Sequence, residues 1–166
     1  MYKRALVPLD GSPVAEAIIP FIVDIAGPLD MEVVLLRVLE PIPTMALEAA
    51  TYVEPEDVEA RQTDAEEYLA PIAVMLRNKG VRVESRVRRG LPEEQIVAVA
   101  RETGADLIAM STHGRGGLGR LVFGSVAQAV LRHADIPVFL LRTTEAEVAR
   151  RAAQAASAAS TRGRRA

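Results

Sequence analysis

Short apolar runs rich in β-branched residues alternate along this chain with longer segments in which apolar positions recur at helical spacing. The runs have the length of strands and cover Arg4–Leu9, Glu32–Val38, Val81–Val87, Leu107–Met110 and Ile136–Leu141. Each segment between them predicts a helix, so strands and helices alternate strictly. This alternation predicts a doubly wound α/β fold, in which an open parallel sheet carries helices on both faces.

Proline and glycine mark the boundaries of the predicted helices. Ser12 followed by Pro13 is typical of an N-cap and a first helical position. Pro55 and Pro92 begin two further predicted helices. Helix-stopping glycines end the predicted helices at Gly27, Gly80 and Gly104.

The segment from Ser111 to Ser125 carries the most informative pattern, S-T-H-G-R-G-G-L-G-R-L-V-F-G-S, between a predicted strand and the last predicted helix. Gly114 and Gly124 permit positive φ angles and a close approach of the main chain to a ligand. Ser125 suits an N-cap and opens a helix whose free N–H groups attract anions. The segment therefore predicts a site for a phosphorylated small molecule.

Other phosphate-binding patterns overlap this segment. Gly114, Gly116 and Gly119 satisfy G-x-G-x-x-G, which leaves a nicotinamide-dependent oxidoreductase as an alternative. The dinucleotide fingerprint needs a later acid at the end of a strand, however, and Asp135 precedes its strand. A P-loop NTPase is disfavoured because no lysine stands between Gly124 and Ser125.

Ligands of open α/β sheets bind at the carboxyl ends of the strands, where the strand order reverses. If the first and fourth strands are neighbours, Asp10 faces the glycine-rich segment, where its carboxylate would accept ribose hydroxyls or hold Mg²⁺ bridging to phosphate. The backbone near Val38, at the end of the second strand, would read a base edge. Asp10 suits a simple turn cap as well, and Met110 suits the core.

Composition limits the chemistry further. The 166 residues suit one domain, and 49% hydrophobic with 25% charged residues is ordinary for a globular protein. The chain has no cysteine, which fits a cytoplasmic protein, and no apolar stretch long enough for a membrane span. The two histidines, His113 and His133, lack the spacing of a catalytic or metal site. Asp10 is the one apparent carboxylate near the glycine-rich segment, and no lysine is there to stabilise transition-state charge, so we expect any hydrolysis to be slow.

Three motifs give the chain a resemblance to the universal stress proteins. They are V-P-L-D-G-S in the first turn, L-L-R-V in the second strand, and H-G-R-G-G-L with a later G-S-V before the last helix. Gly114, nine intervening residues and Gly124-Ser125 match the second half of the motif G-x2-G-x9-G-[ST] of the ATP-binding branch. The resemblance covers residues 2–142 and implies one domain with a five-stranded parallel sheet of order 3-2-1-4-5, of the adenine nucleotide alpha hydrolase-like type.

The same resemblance implies a homodimeric, ligand-responsive stress protein that holds ATP, AMP or cyclic AMP between the first and fourth strands, with Mg²⁺ at Asp10 when ATP is bound. The residues that match the family's binding positions are Pro8, Leu9, Asp10, Val38, Met110, Gly114, Gly124, Ser125 and Val126. Ser111 stands where the family motif has its first glycine, which predicts weaker or altered binding. An interaction module that binds no nucleotide stays an alternative.

Two C-terminal features bear on partners. Ile136–Leu141 would be an apolar edge strand, which predicts pairing with a second copy. Residues 143–166, beyond a domain of residues 1–142, form an alanine- and arginine-rich tail that we expect to be a frayed helix or disordered and dispensable for folding. The tail has no aromatic residues for stacking, so nucleic acid is not expected as a partner.

Overall fold

Among the residues that the computed structural model describes, namely 1–41, 55–113, 124–144, 146–150 and 153, five parallel strands form one sheet. The strands are β1 (Arg4–Leu9), β2 (Glu32–Leu39), β3 (Arg82–Arg89), β4 (Leu107–His113) and β5 (Val138–Thr143). Their order in the sheet is β3-β2-β1-β4-β5, and each neighbouring pair is parallel. The predicted fold class and strand order are confirmed.

Helices connect the strands in this part of the chain. They are α1 (Pro13–Glu16), α2 (Ile19–Ala26), α3 (Pro55–Asn78), α4 (Pro92–Thr103) and α5 (Ser125–His133). Ser12 is the N-cap of α1, where its Oγ accepts the N–H of Ala15 at 3.0 Å. Gly104 ends α4 in the left-handed conformation at a φ of 64°, as the stop signal predicted.

The first predicted helix is divided into α1 and α2, a break that the sequence analysis did not anticipate. Pro20 stands in the first turn of α2 and has no N–H to donate to the carbonyl of Glu16. Strand boundaries moved as well, since β4 continues through His113 and β5 starts at Val138, after Pro137. The strand bounds of β1 match the prediction in full.

The core lies on both faces of the sheet, because neighbouring residues of a strand point to opposite sides. On one face, residues such as Val7, Leu35 and Ala109 pack against α2 and α3. On the other, residues such as Leu36 and Met110 pack against α4 and α5. The alternation along β4 therefore places Ser111 on the first face and Thr112 on the second.

The end of β5 leads directly into a capped helical segment. Thr143 is buried and pairs with His113 of β4, so it lies in the sheet. Residues 146–150 are helical. The N–H of Glu147 donates to Thr144 Oγ1 at 3.2 Å, and the Glu147 carboxylate accepts the N–H of Thr144 at 3.0 Å. This capping box fixes the start of the tail as helix.

Candidate functional site

A cleft of about 430 Å³ opens at the carboxyl ends of β1, β2 and β4. Nine of the predicted binding residues line it: Pro8, Leu9, Asp10, Val38, Met110, Ser111, Gly124, Ser125 and Val126. Gly114, together with Gly116 and Gly119 of the alternative pattern, lies outside the described residues. The cleft therefore brings together those predicted residues that the structure describes, and their contact with a ligand stays a prediction.

The cleft forms because β1 and β4 pair only near their beginnings. Their register comprises Ala5 with Leu107 and Leu6 with Ile108, and it stops there, whereas β1 pairs with β2 along its whole length. Chain order reverses between β1 and β4, which is the position where open α/β sheets bind ligands. The adjacency on which the role of Asp10 depended is thus confirmed.

The amino end of α5 forms one end of the cleft. Gly124 is the N-cap residue, and no side chain of the described residues caps the helix. The first N–H groups of any helix lack intrahelical partners, and those of Ser125, Val126 and Ala127 belong to residues that line the cleft. Such an end favours anions through both its free donors and the helix dipole.

The prediction that Ser125 opens this helix is confirmed, whereas the prediction that Ser125 is its N-cap is wrong. Gly124 has a φ of −58° and a ψ of 155°, so it does not adopt the positive φ that its residue type permits. Ser125 is the first helical residue, and the N-cap position belongs to Gly124. The physical reason lies in β4, because Thr112 Oγ1 accepts the N–H of Gly124 at 3.2 Å and fixes the chain before the helix begins.

Asp10 has the local role of a turn cap and a place in the cleft. Its Oδ1 accepts the N–H of Ser12 at 2.8 Å, which closes an Asx turn before α1. Gly11 inside this turn has a φ of 84°, a conformation suited to glycine. The Asp10 side chain remains exposed on the cleft.

Arg37 lines the cleft and was missed by the sequence analysis. Its Nη1 donates to the Leu9 carbonyl at 3.4 Å, and its guanidinium lies 5.6 Å from the ring centroid of Tyr68. Tyr68 in turn donates its hydroxyl to Glu16 at 2.9 Å, and burial together with this carboxylate raises the pKa of the phenol. The available signal was a charged residue inside an otherwise apolar run, L-L-R-V.

Arg61 of α3 is a second missed residue. It lines the cleft beside Glu40, and its Nη2 donates to the Glu40 carbonyl at 2.9 Å. Pro92 and Ile96 of α4 add apolar surface to the lining. These contacts join segments far apart in sequence, so no local pattern could have indicated them.

The remaining candidate residues have no shared chemistry in the described structure. His133 is the last residue of α5, and its Nδ1 lies 2.8 Å from the carbonyl oxygen of Ala129 within the same helix. Met110 is 7% exposed and belongs to the core while it also contributes to the cleft. Ser111 has no positive φ, so its Cβ causes no backbone strain in place of glycine.

In the described part of the chain, no helix has the length and apolar character that a membrane span requires.

Comparison with known protein families and curated proteins identifies relatives of this chain. The model of the universal stress protein family matches residues 1–142. Universal stress protein MJ0531 of Methanocaldococcus jannaschii is 32% identical over 147 residues, which are 89% of this chain and 86% of that protein.

Solved structures share the fold. Hypothetical protein MJ0577 superposes with a TM-score of 0.71 at 27% identity, over 87% of this chain and 99% of that one. A universal stress protein in complex with cAMP gives a TM-score of 0.62 at 20% identity, over 86% and 98%. The universal stress protein of Archaeoglobus fulgidus in complex with dAMP gives 0.60 at 23% identity, over 84% and 97%. With a family match over most of its length, the present chain belongs to the universal stress protein family.

Proposed function

We propose that this chain binds an adenine nucleotide in the cleft between β1 and β4 and acts as a ligand-responsive stress protein. The observation that carries the proposal is the position of the cleft, which lies at the strand-order reversal and has at one side the amino end of α5, which no described side chain caps. Two universal stress proteins of the same fold were solved with cAMP and dAMP. ATP and AMP are the ligands that we propose first.

The groups that line the cleft predict the orientation of the bound nucleotide. Its phosphates would lie at the first turn of α5, near Ser125 and Val126, because free backbone N–H groups favour anions. The base would lie toward the end of β2, where Val38 lines the cleft. The ribose would then occupy the middle, between the ends of β1 and β4.

A divalent cation would share its coordination with the nucleotide. Asp10 is a carboxylate on the cleft, but the described residues contain no group of three or more histidine or acidic side chains that would hold a metal. Mg²⁺ at Asp10 would therefore need phosphate oxygens and water to complete its octahedral shell. Asp10 fits that role as a single protein ligand.

We propose no efficient catalysis, and slow hydrolysis of ATP as the upper limit. Two cations line the described cleft, and both already donate hydrogen bonds to backbone carbonyls, those of Leu9 and Glu40. Phosphoryl transfer depends on cations placed at the transferred group. We place the protein in the cytoplasm, where a chain without cysteine is at no disadvantage.

Calorimetric titration with ATP, AMP, cyclic AMP and NAD tests this proposal. We expect saturable binding of adenine mononucleotides and weaker binding of NAD. Preference for NAD would favour the oxidoreductase alternative. Absence of binding to all four would favour the interaction module and overturn the proposal.

We also propose that the chain forms a homodimer through β5. This strand pairs with β4 on one side and is the last strand of the sheet, and Phe139 on it is 40% exposed. The opposite edge, β3, carries arginines, a common protection against edge pairing. Light scattering should therefore give the mass of a dimer at micromolar concentration.

Phe139→Glu should convert that dimer to a monomer, because it places a charge on the proposed interface. Val74→Glu is the matched control, since Val74 is an exposed apolar residue on α3, far from β5 in the sheet order. A wild-type monomer, or a Phe139→Glu variant that stays dimeric, would contradict this interface.

A further inference from the structure

Ser111 carries a hydroxyl group that the protein leaves without a partner. Its Oγ is shielded from solvent and makes no hydrogen bond to any residue that the structure describes. The residue as a whole is partly exposed and lines the cleft. Burial of an unpaired hydroxyl is unfavourable, so its retention in a folded protein needs an explanation.

Other buried hydroxyls in the described part of the chain are all engaged. Thr103 Oγ1 donates to the Val99 carbonyl at 2.7 Å, and Thr112 Oγ1 accepts the N–H of Gly124 at 3.2 Å. Thr143 Oγ1 lies 3.4 Å from the Glu147 carboxylate. Ser111 is the exception in this set, and it is also the residue that replaces the first glycine of the family motif.

The place of Ser111 in the sheet assigns it to the middle of the cleft. Counting on from the last β1–β4 pair, Leu6 with Ile108, Ser111 stands level with Leu9 and one residue before the level of Asp10. At this level the two strands no longer pair, so a ligand group can enter between them. Rotation about the serine χ1 would turn Oγ toward that group.

We propose that Ser111 recognises a ribose hydroxyl and makes this cleft selective for ribonucleotides over their deoxy analogues. The inference rests on the proposed function, since it assigns the ribose to the gap between β1 and β4. A glycine at this position has no side chain, so the selectivity would be a property of this chain. The hydroxyl would donate to or accept from the sugar and thereby lose its unpaired state.

Calorimetric titration of AMP, 2′-deoxy-AMP and 3′-deoxy-AMP tests the assignment. The wild type should prefer AMP over one of the deoxy analogues by about 3- to 10-fold, the value of one hydrogen bond. Ser111→Ala should erase this preference, because AMP binding falls to the level of that analogue while the binding of the analogue changes by less than about twofold. Ser85→Ala, on the exposed strand β3, is the matched control and should keep the wild-type preference.

Several outcomes would overturn the inference alone. The wild type could bind AMP and both analogues equally, or Ser111→Ala could keep the full preference. Equal affinities in all variants with a higher melting temperature of Ser111→Ala would mean that the hydroxyl is unpaired with the ligand bound as well and recognises no ribose group. A change seen in Ser111→Gly but not in Ser111→Ala would assign the effect to the Cβ. A wild type that binds no adenine nucleotide would overturn the proposed function itself.

Discussion

The two walls of the cleft use their polar groups in opposite ways. The β2 wall comprises Asp10, Arg37, Glu40 and Arg61, and the β4 wall comprises Ser111, Thr112, Gly124 and Ser125. On the β2 wall the side chains bind the protein's own backbone: Asp10 binds the N–H of Ser12 at 2.8 Å, and the two arginines donate to carbonyls at 3.4 and 2.9 Å. On the β4 wall, one side-chain hydrogen bond among the described residues, from Gly124 N–H to Thr112 at 3.2 Å, holds the helix end in place.

The β2 wall therefore sets the shape of the cleft, whereas the β4 wall offers the groups that can bind a ligand. The hydrogen bonds of the β2 wall fix its shape before a ligand arrives, and preorganisation of this kind lowers the entropic cost of binding. The β4 wall keeps free capacity, in the Ser111 hydroxyl and in the first N–H groups of α5. Changes on the β4 wall should therefore affect nucleotide affinity more than changes to the two arginines of the β2 wall.

Gly124→Val should have the largest effect. Among the described residues, a Cβ at Gly124 would meet Thr112 Oγ1 alone, at 4.0 Å, and its φ of −58° is open to all residues, so the variant should fold. The valine would stand before the amino end of α5 and keep phosphates from its N–H groups. We expect ATP affinity to fall about 30- to 150-fold, from loss of charge-assisted backbone bonds worth about 2–3 kcal/mol.

The measurement is titration with ATP, with circular dichroism as a check on folding. Gly27→Ala serves as the matched control, because Gly27 has a φ of −59° and its added Cβ would make only an ordinary contact, 3.6 Å from the Val23 carbonyl. Gly119→Ala should also change the affinity little. Full binding by a folded Gly124→Val variant, with loss in Gly119→Ala, would favour the dinucleotide pattern instead.

Thr112→Val should have the next largest effect. The substitution keeps the shape of a buried residue but removes the acceptor for the Gly124 N–H, which would then be unpaired. We expect a loss of about 1–2 kcal/mol in unfolding free energy and about a 3- to 10-fold loss of ATP affinity, because the first turn of α5 shifts. Urea denaturation and titration measure the two effects.

Thr63→Val is the control for this variant, since Thr63 is exposed on α3 and bonds only to the Glu59 carbonyl of its own helix in the described structure. Equal ATP affinity in Thr112→Val and the wild type would show that the helix end needs no anchor from β4.

The sequence predicted the elements that depend on local patterns. The bounds of β1 and the Ser12 cap follow from apolar runs and capping preferences, and the strand order follows from the resemblance to a known family. The positions of Arg61 and Thr112 in the cleft depend on packing between distant segments, which leaves no trace in a local pattern, whereas Arg37 had one local signal, its charge inside an apolar run. Gly124 shows a further limit, because glycine permits a positive φ but does not require it.

Arg61→Ala tests the β2 wall and should have a small effect. The guanidinium is already engaged with the Glu40 carbonyl, so its removal loosens the wall without removing a proposed ligand contact. We expect affinities for AMP and ATP to fall by the same factor, about 2- to 3-fold. Arg77→Ala is the matched control, since Arg77 makes the same kind of bond, to the Val83 carbonyl at 2.9 Å, outside the cleft. An affinity loss that is larger for ATP than for AMP would place Arg61 at the phosphates and contradict the division of roles between the two walls.

Tyr68→Phe should leave nucleotide affinity within about twofold of the wild type and lower stability alone. Tyr68 supports the β2 wall because its ring packs against the guanidinium of Arg37, and its hydroxyl donates to Glu16 at 2.9 Å. Loss of this hydrogen bond should reduce the unfolding free energy by about 1 kcal/mol at pH 7, measured by urea denaturation. Tyr2→Phe, at an exposed tyrosine, should cause no comparable loss.

The direction of the Tyr68 pKa shift determines how the stability loss of Tyr68→Phe changes with pH. Burial and the Glu16 carboxylate raise the pKa of Tyr68 in the folded protein above the ordinary tyrosine value of about 10. The folded state thus binds the phenolic proton more tightly than the unfolded state does, so the contribution is complete below about pH 10 and declines as the pH rises beyond it. The stability difference between wild type and Tyr68→Phe should accordingly be constant between about pH 7 and 9 and shrink at higher pH. A stability difference that grows above pH 10 would mean that the folded protein favours the phenolate, through Arg37, and would contradict the raised pKa. A marked loss of ATP affinity would mean that the hydroxyl acts on the ligand as well as on the fold.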